Sequence, residues 1–174
     1  MSGHNKWSKI KHKKAATDAA RSREFGKLVR FIQVEAKKAG GDVQSAGLAN
    51  AIAKALKANM PKDNIERAIK KANESGDSQS VLYEAYGPGG VGMIITGLTD
   101  NTNRTNSEVK HILTKNNGSL GTPGSVSWNF TKNEEQDWIP NSTIDISEED
   151  AEKLENLMEL LEEHDDVQDI YVNL

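Results

Sequence analysis

The 174-residue chain has no cysteine, only four prolines, and few aromatic side chains, 5% of the total. The missing cysteines exclude disulfides and thiolate chemistry, whether as nucleophile or as metal ligand. Long apolar runs are also missing. Stretches such as Val91–Leu98 are broken by glycine and threonine and fall far short of the roughly 20 residues that a membrane span needs. The amino-terminal MSGHNKWSKIKHKK is basic, but no apolar segment follows it, so it does not read as a secretory signal. A cytoplasmic location without a membrane partner is expected. The length suits one or two small domains, with burial of roughly 70% of the unfolded surface and a core that needs no staples.

What is present is charge, unevenly placed. The formal net charge is −4, yet residues 1–72 carry +11, residues 73–130 carry −2 and residues 131–174 carry −13. A basic head joined to an acidic tail points to a polyanion-binding surface, since the head attracts phosphate and the tail limits how the molecule lies against it.

Apolar spacing predicts the elements. Phe25, Leu28, Val29, Ile32 and Ala36 recur at helical steps between about 15 and 39, and Gly40-Gly41 ends that helix. Arg23, Lys27, Arg30 and Lys37 fall on the opposite face of the wheel. A second helix over about 44–58 buries Leu48, Ile52, Ala55 and Leu56. Pro61 opens a third, about 61–73, with Ile65, Ala68, Ile69 and Ala72 inward and Arg67, Lys70 and Lys71 outward. A basic helical domain over 1–75 is expected, with a polar linker over 74–80. Beyond it strands are predicted at 82–86, 91–98, 125–130, 137–146 and 167–172, with helices at 104–116 and after Ser147. From Val91 this reads βαββαβ. The expected fold class is α+β: an N-terminal three-helix domain, then a ferredoxin-like split βαβ domain over 76–174 with an acidic C-terminal helix.

No catalytic constellation stands out. His4, His12, His111 and His164 lack metal-ligand spacing, and His111, beside an apolar helix face, reads as a structural histidine. Gly87-Pro88-Gly89-Gly90 leads into a strand and lacks the Lys-Ser/Thr of a phosphate loop. The tail carboxylates resemble a solvated helix face rather than an acid–base pair. No enzyme activity, cofactor or metal is implied. The binding signal lies in Lys6, Trp7, Lys9, Lys11, His12, Lys13 and Lys14, continued by Arg21, Arg23, Lys27 and Arg30. Lysines neutralise phosphates, and Trp7 is either a stacking platform for a base or a core anchor. Five neutralised phosphates would give a log–log salt slope of about −3.5 on single strands and −4.5 on duplex DNA. Thr99–Arg104, at a strand-to-helix junction, reads as an anion-contacting turn or as plain capping by Asp100 or Asn103. Gly118–Ser125 is a small, flexible run that admits close backbone approach or merely connects.

The stretches GHNKWSKIKHKKAATDAARSREFGKL (3–28), ANMPKDNIERAIKKA (58–72), YGPGGVG (86–92), LTDNTNRT (98–105), GSLGTPGSVSW (118–128) and WIPNSTIDISEEDAEKLENLMELLEEHDDVQDIYVN (138–173) make the chain similar to the YebC family. That family includes the mitochondrial translational activator of cytochrome c oxidase subunit I. Members generally resemble a helical domain followed by two α/β domains, one inserted in the other. Here Phe130 is followed almost directly by Asp137-Trp138, where the inserted domain would lie. The resemblance implies a non-enzymatic regulator of gene expression. The favoured expectation is a translation factor on ribosomal RNA or tRNA that activates translation or relieves ribosome stalling, and the alternative is a regulator that binds promoter DNA. The basic residues between Lys6 and Arg30 match the family's N-terminal motif. Arg67, Lys70, Lys71, Gly89, Gly90, Asn103 and Arg104 are secondary candidates for nucleic-acid contact.

Overall fold

The computed structural model describes residues 17–174, which form two compact units, one ending at Ser78 and the other spanning Gln79–Leu174. The helical unit contains α1 (Asp18–Ala39), α2 (Ala46–Lys57) and α3 (Lys62–Lys70), with a 3-10 turn at Ala72–Glu74. Thr17 caps α1 by accepting the Ala20 N–H at 3.1 Å. Gly40, at φ 61°, ends it in a left-handed turn in which the Gly41 N–H reaches the Ala36 carbonyl, a conformation that glycine adopts without Cβ strain. Ile32, Ala36, Leu48, Ala51, Ala55, Met60, Ile65, Ala68 and Ala72 make the core. Alanine at so many of these sites lets the three helices pack closely.

The expected basic row on α1 is only partly an outer face. Arg23, Lys27 and Arg30 are half-buried, and Val34, next in the same row, is 6% exposed. Val34 makes the apolar arc of α1 wider than the five-residue stripe suggested, and burying such a side chain contributes roughly 1.5–3 kcal/mol.

The second unit is built on an antiparallel sheet of β1 (Gln79–Tyr86), β2 (Gly92–Thr99), β3 (Ser119–Leu120) and β6 (Val167–Val172), in the spatial order β3-β1-β2-β6. α4 (Thr102–Lys115) connects β2 to β3, and α5 (Glu148–Glu163) leads into β6. β2 and β3 are both antiparallel to β1, which lies between them, so they run parallel and form a split βαβ unit. β2 is buried along nearly its whole length. Its residues alternate: Met93 and Ile95 join Val109, Leu113, Leu157 and Leu161 in one core, and Ile94 joins Val126 and Phe130 in another.

Two expected strands take a different form. The strand that fills the split βαβ is β1, not the 125–130 or 137–146 segments. Residues 127–129 form a 3-10 turn, and only β4 (Phe130–Lys132) and β5 (Trp138–Pro140) pair, as a separate hairpin. Val126, Phe130 and Trp138 instead cover the sheet face opposite the helices, against Ile94 and Tyr171. The backbone amides of 124, 126 and 127 are taken by a carboxylate, so they cannot enter a ladder. Pro140 lacks the N–H that would extend β5. Among the described residues no helix is long and apolar enough to cross a membrane.

β2 and β6 shift register between Thr96 and Gly97. There a Cβ on Gly97 would lie 2.5 Å from the Asp166 carbonyl oxygen. Gly97→Ala is expected to destabilise the unit by about 1–3 kcal/mol, lowering its thermal midpoint by about 4–8 °C per kcal/mol. Gly76→Ala, where nothing lies within 4 Å, should leave the midpoint close to wild type. Equal midpoints for the two variants would contradict the close packing at the bulge.

Candidate nucleic-acid interface

The residues Lys6, Trp7, Lys9, Lys11, His12, Lys13 and Lys14 lie outside the described residues. Within the helical unit Arg21 is exposed near the start of α1, and Arg67, Lys70 and Lys71, all exposed, lie at the end of α3. Residues 17–75 carry a net charge of +5, so this unit keeps a positive field without the arm. The outer face of α3 presents the cations Lys62, Arg67 and Lys70 interleaved with the carboxylates Asp63 and Glu66.

The Thr99–Arg104 turn is a closed polar knot. Capping falls to Asn101, whose side chain accepts the Arg104 N–H at 3.1 Å, instead of Asp100 or Asn103. The Arg104 guanidinium pairs with Asp100 and with Asp166, each at 3.0 Å. Buried Thr105 donates to Asp166 at 2.8 Å and lies 2.7 Å from the buried Thr99 hydroxyl. Arg104 therefore neutralises two carboxylates of its own chain, and its main work is to tie the start of α4 to the loop before β6. Asn103, Gly89 and Gly90 are exposed, and the last two turn the chain between β1 and β2 with φ 76° and 78°.

Beside the knot, an open groove of about 760 Å³ is lined by Arg104, Glu108, His111, His164 and Asp166. His111 is exposed there, not packed as a structural histidine, because it falls off the buried row of Thr105, Val109 and Leu113 on α4. One ligand atom each from Glu108, His164 and Asp166 lies within 4.8 Å of the others, which raises the question of a metal ion. His164 Nδ1 accepts the Asp166 N–H at 3.1 Å, and its Nε2 faces Glu108 at 2.5 Å. With Nδ1 accepting that N–H, Nε2 is the ring nitrogen placed to donate to Glu108. With Arg104 also on Asp166, these side chains tie α4 to the loop before β6 as a hydrogen-bonded latch.

The most organised loop of this unit lies on the opposite face of the sheet. Glu84, in β1 and 7% exposed, accepts the N–H groups of Gly124, Val126 and Ser127, at 2.5, 3.0 and 2.5 Å. Burial alone would push its carboxyl up, but the donors on Gly124, Ser127 and Val126 outweigh it and hold the group below the usual carboxylate range. The 118–125 run is therefore pinned, not flexible. Trp128, adjoining this loop and expected within a strand, stands 73% exposed.

Comparison with known proteins decides the family. The model described as the TACO1/YebC protein N-terminal domain matches residues 5–75, and the TACO1/YebC second and third domain matches 78–134 and 131–174. The chain belongs to the TACO1/YebC family. A probable transcriptional regulatory protein of Petrotoga mobilis is 48% identical over 162 residues, covering 91% of this chain and 61% of that relative. One from Borreliella afzelii is 41% identical over 236 residues, covering 100% of this chain and 97% of the relative. The crystal structure of a conserved hypothetical protein from Aquifex aeolicus is 36% identical, with a TM-score of 0.77 and 94% of each chain covered. The likeness confirms the YebC-like α+β fold. The two stretches matching the second and third domain meet at 131–134, in the β4–β5 hairpin.

Glu84 and Thr105 were both missed by motif reading, although a lone carboxylate between Tyr83 and Ala85 was a visible signal. Glu84→Gln, which loses charge-assisted acceptance of three amides, should destabilise the second unit by about 1.5–3 kcal/mol. Because the folded Glu84 value is depressed, wild type keeps this contribution above the unfolded value of about 4.3 and loses it as pH falls through the lower folded value. The gap between variant and wild type in urea midpoint should therefore close on acidification, and a gap independent of pH would contradict the assignment. Thr105→Val should cost about 1–3 kcal/mol with an unchanged urea m-value.

Proposed function

We propose that this protein is a non-enzymatic regulator of gene expression that binds nucleic acid through the phosphate backbone, using its basic helical unit. The observation that carries the reading is the charge split: the +11 over residues 1–72 against −13 over 131–174 confines phosphate attraction to one part of the chain. The relatives' names, probable transcriptional regulatory proteins, favour promoter DNA as the target. The exposed cations Arg67, Lys70 and Lys71 at the end of α3 suit phosphate contacts of the kind that dominate on structured RNA, and this supports the translation-factor role on ribosomal RNA or tRNA. The site set proposed for phosphate contact is the arm from Lys6 to Lys14, then Arg21, Arg23, Lys27 and Arg30, with Arg67, Lys70 and Lys71 in support. We further infer that the β4–β5 hairpin is the point where longer relatives carry an additional domain.

A salt series tests this. Binding of the intact protein to promoter duplex, random duplex and purified ribosomes should weaken steeply with salt. Replacing Arg67, Lys70 and Lys71 by alanine should make the log–log slope on duplex shallower by about 0.9 for each phosphate that is no longer neutralised. A preference for promoter over random duplex of about a thousandfold or more supports transcription. A preference below about tenfold, with salt-sensitive co-sedimentation with ribosomes that duplex DNA does not displace, supports translation. Absence of binding to all three at low salt would overturn the proposal.

A further inference from the structure

We propose that Trp128 and Tyr86 form a preorganised platform on which an unpaired base of the bound nucleic acid stacks. This deepens the nucleic-acid reading above and rests on it. Trp128, at 73%, is the most exposed large apolar side chain among the described residues, and Tyr86 is 38% exposed. Neither ring is left to swing. The Trp128 indole N–H donates to the Ser125 carbonyl at 2.9 Å, and the Tyr86 hydroxyl donates to the same oxygen at 3.1 Å. The polar edges of two rings thus converge on one acceptor, which fixes both rings beside it while much of their surface faces solvent.

The support beneath is rigid. Glu84 holds the amides of Gly124, Val126 and Ser127 from below. At Gly121 a Cβ would lie 2.6 Å from Ser125 Oγ and 3.2 Å from Tyr86 Cε2, so glycine is what lets strand, ring and loop lie together. The loop keeps this geometry although it leaves the Ser125 hydroxyl buried without a hydrogen-bond partner, a departure from the usual satisfaction of buried polar groups. An indole held in water by so much local structure needs its partner outside the unit.

The chemistry of that partner follows from what surrounds the rings. Residues 118–127 offer glycines, hydroxyls and Pro123, and their two larger apolar side chains, Leu120 and Val126, are half-buried and buried. Flat aromatic faces bordered by small hydroxyl residues suit a base and its ribose better than the roughly 800 Å² per partner of a protein interface. The unit also carries a net charge of −13 over residues 79–174. It therefore contributes by stacking and not by phosphate attraction, and because every base has a π-face it does so without sequence preference.

The test compares wild type, Trp128→Ala and Trp128→Phe on an oligouridylate of about twelve nucleotides and on a fully paired duplex, at several salt concentrations. Trp128→Ala should weaken oligouridylate binding about 5- to 150-fold, the range for losing one stacked base. Trp128→Phe should retain most of the affinity. Duplex binding should stay within about twofold of wild type, with a thermal midpoint to match, since an exposed side chain is removed, and the salt slope should not change. In a Trp7→Phe/Trp138→Phe background, oligouridylate should quench the remaining indole emission. Unchanged oligouridylate affinity in Trp128→Ala, or an equal loss on both nucleic acids, overturns the platform alone. A wild-type protein that binds neither nucleic acid overturns the broader reading and the platform with it.

Discussion

A buried carboxylate that accepts three backbone amides organises the α+β unit. Glu84 sits on the sheet face opposite the helices, where its neighbour across the ladder is Ile94. A charge in that position would be strongly destabilising without partners. The chain supplies them from a single segment, Gly124–Ser127, which thereby gives up β pairing and wraps over the sheet. That wrapping seats Val126 and Phe130 against Ile94, closes the second core and delivers Trp128 to the surface. Sheet, second core and exposed loop all depend on one ionised group.

The opposite end of β2 is fastened by a second polar device. Asp166 draws together Arg104 and Thr105 from the start of α4, and Thr105 in turn holds Thr99 at the end of β2. In the groove beside it His164 bonds Glu108 and the Asp166 N–H, which ties the end of α5 to α4. Both devices serve a protein whose charge is divided by segment. In the proposed function the basic helical unit attracts a polyanion, and the acidic α+β unit offers aromatic faces, not cations.

The legible part of the fold was the part governed by periodicity. The three helices of the first unit, the β1–β2 hairpin through Gly87–Gly90, the two helices of the second unit and the closing strand all follow from spacing and caps. What periodicity could not reveal was where residues 119–140 go. Gly121, Gly124 and Pro140 do not encode a strand partner, and an alternating run such as Ser125–Phe130 reads as a strand until the carboxylate that claims its amides, about 40 residues earlier in the chain, is placed beneath it. Val34 was similarly hidden, one apolar residue in a row of cations on α1. Of the candidate site, the charge of the basic region was plain from composition. The engagement of Arg104 with its own carboxylates, and the exposure of Trp128, depend on contacts far apart in the chain.

The state of Glu84 is observed directly by NMR of the amides of Gly124, Val126 and Ser127. At neutral pH these three should be strongly protected from hydrogen exchange and shifted downfield by bonding to a carboxylate. On acidification all three should titrate together, with one midpoint below the ordinary glutamate value of about 4.3. Rapid exchange of these amides at neutral pH, or a shared midpoint above that value, would show that the carboxylate does not hold the loop and would contradict the account.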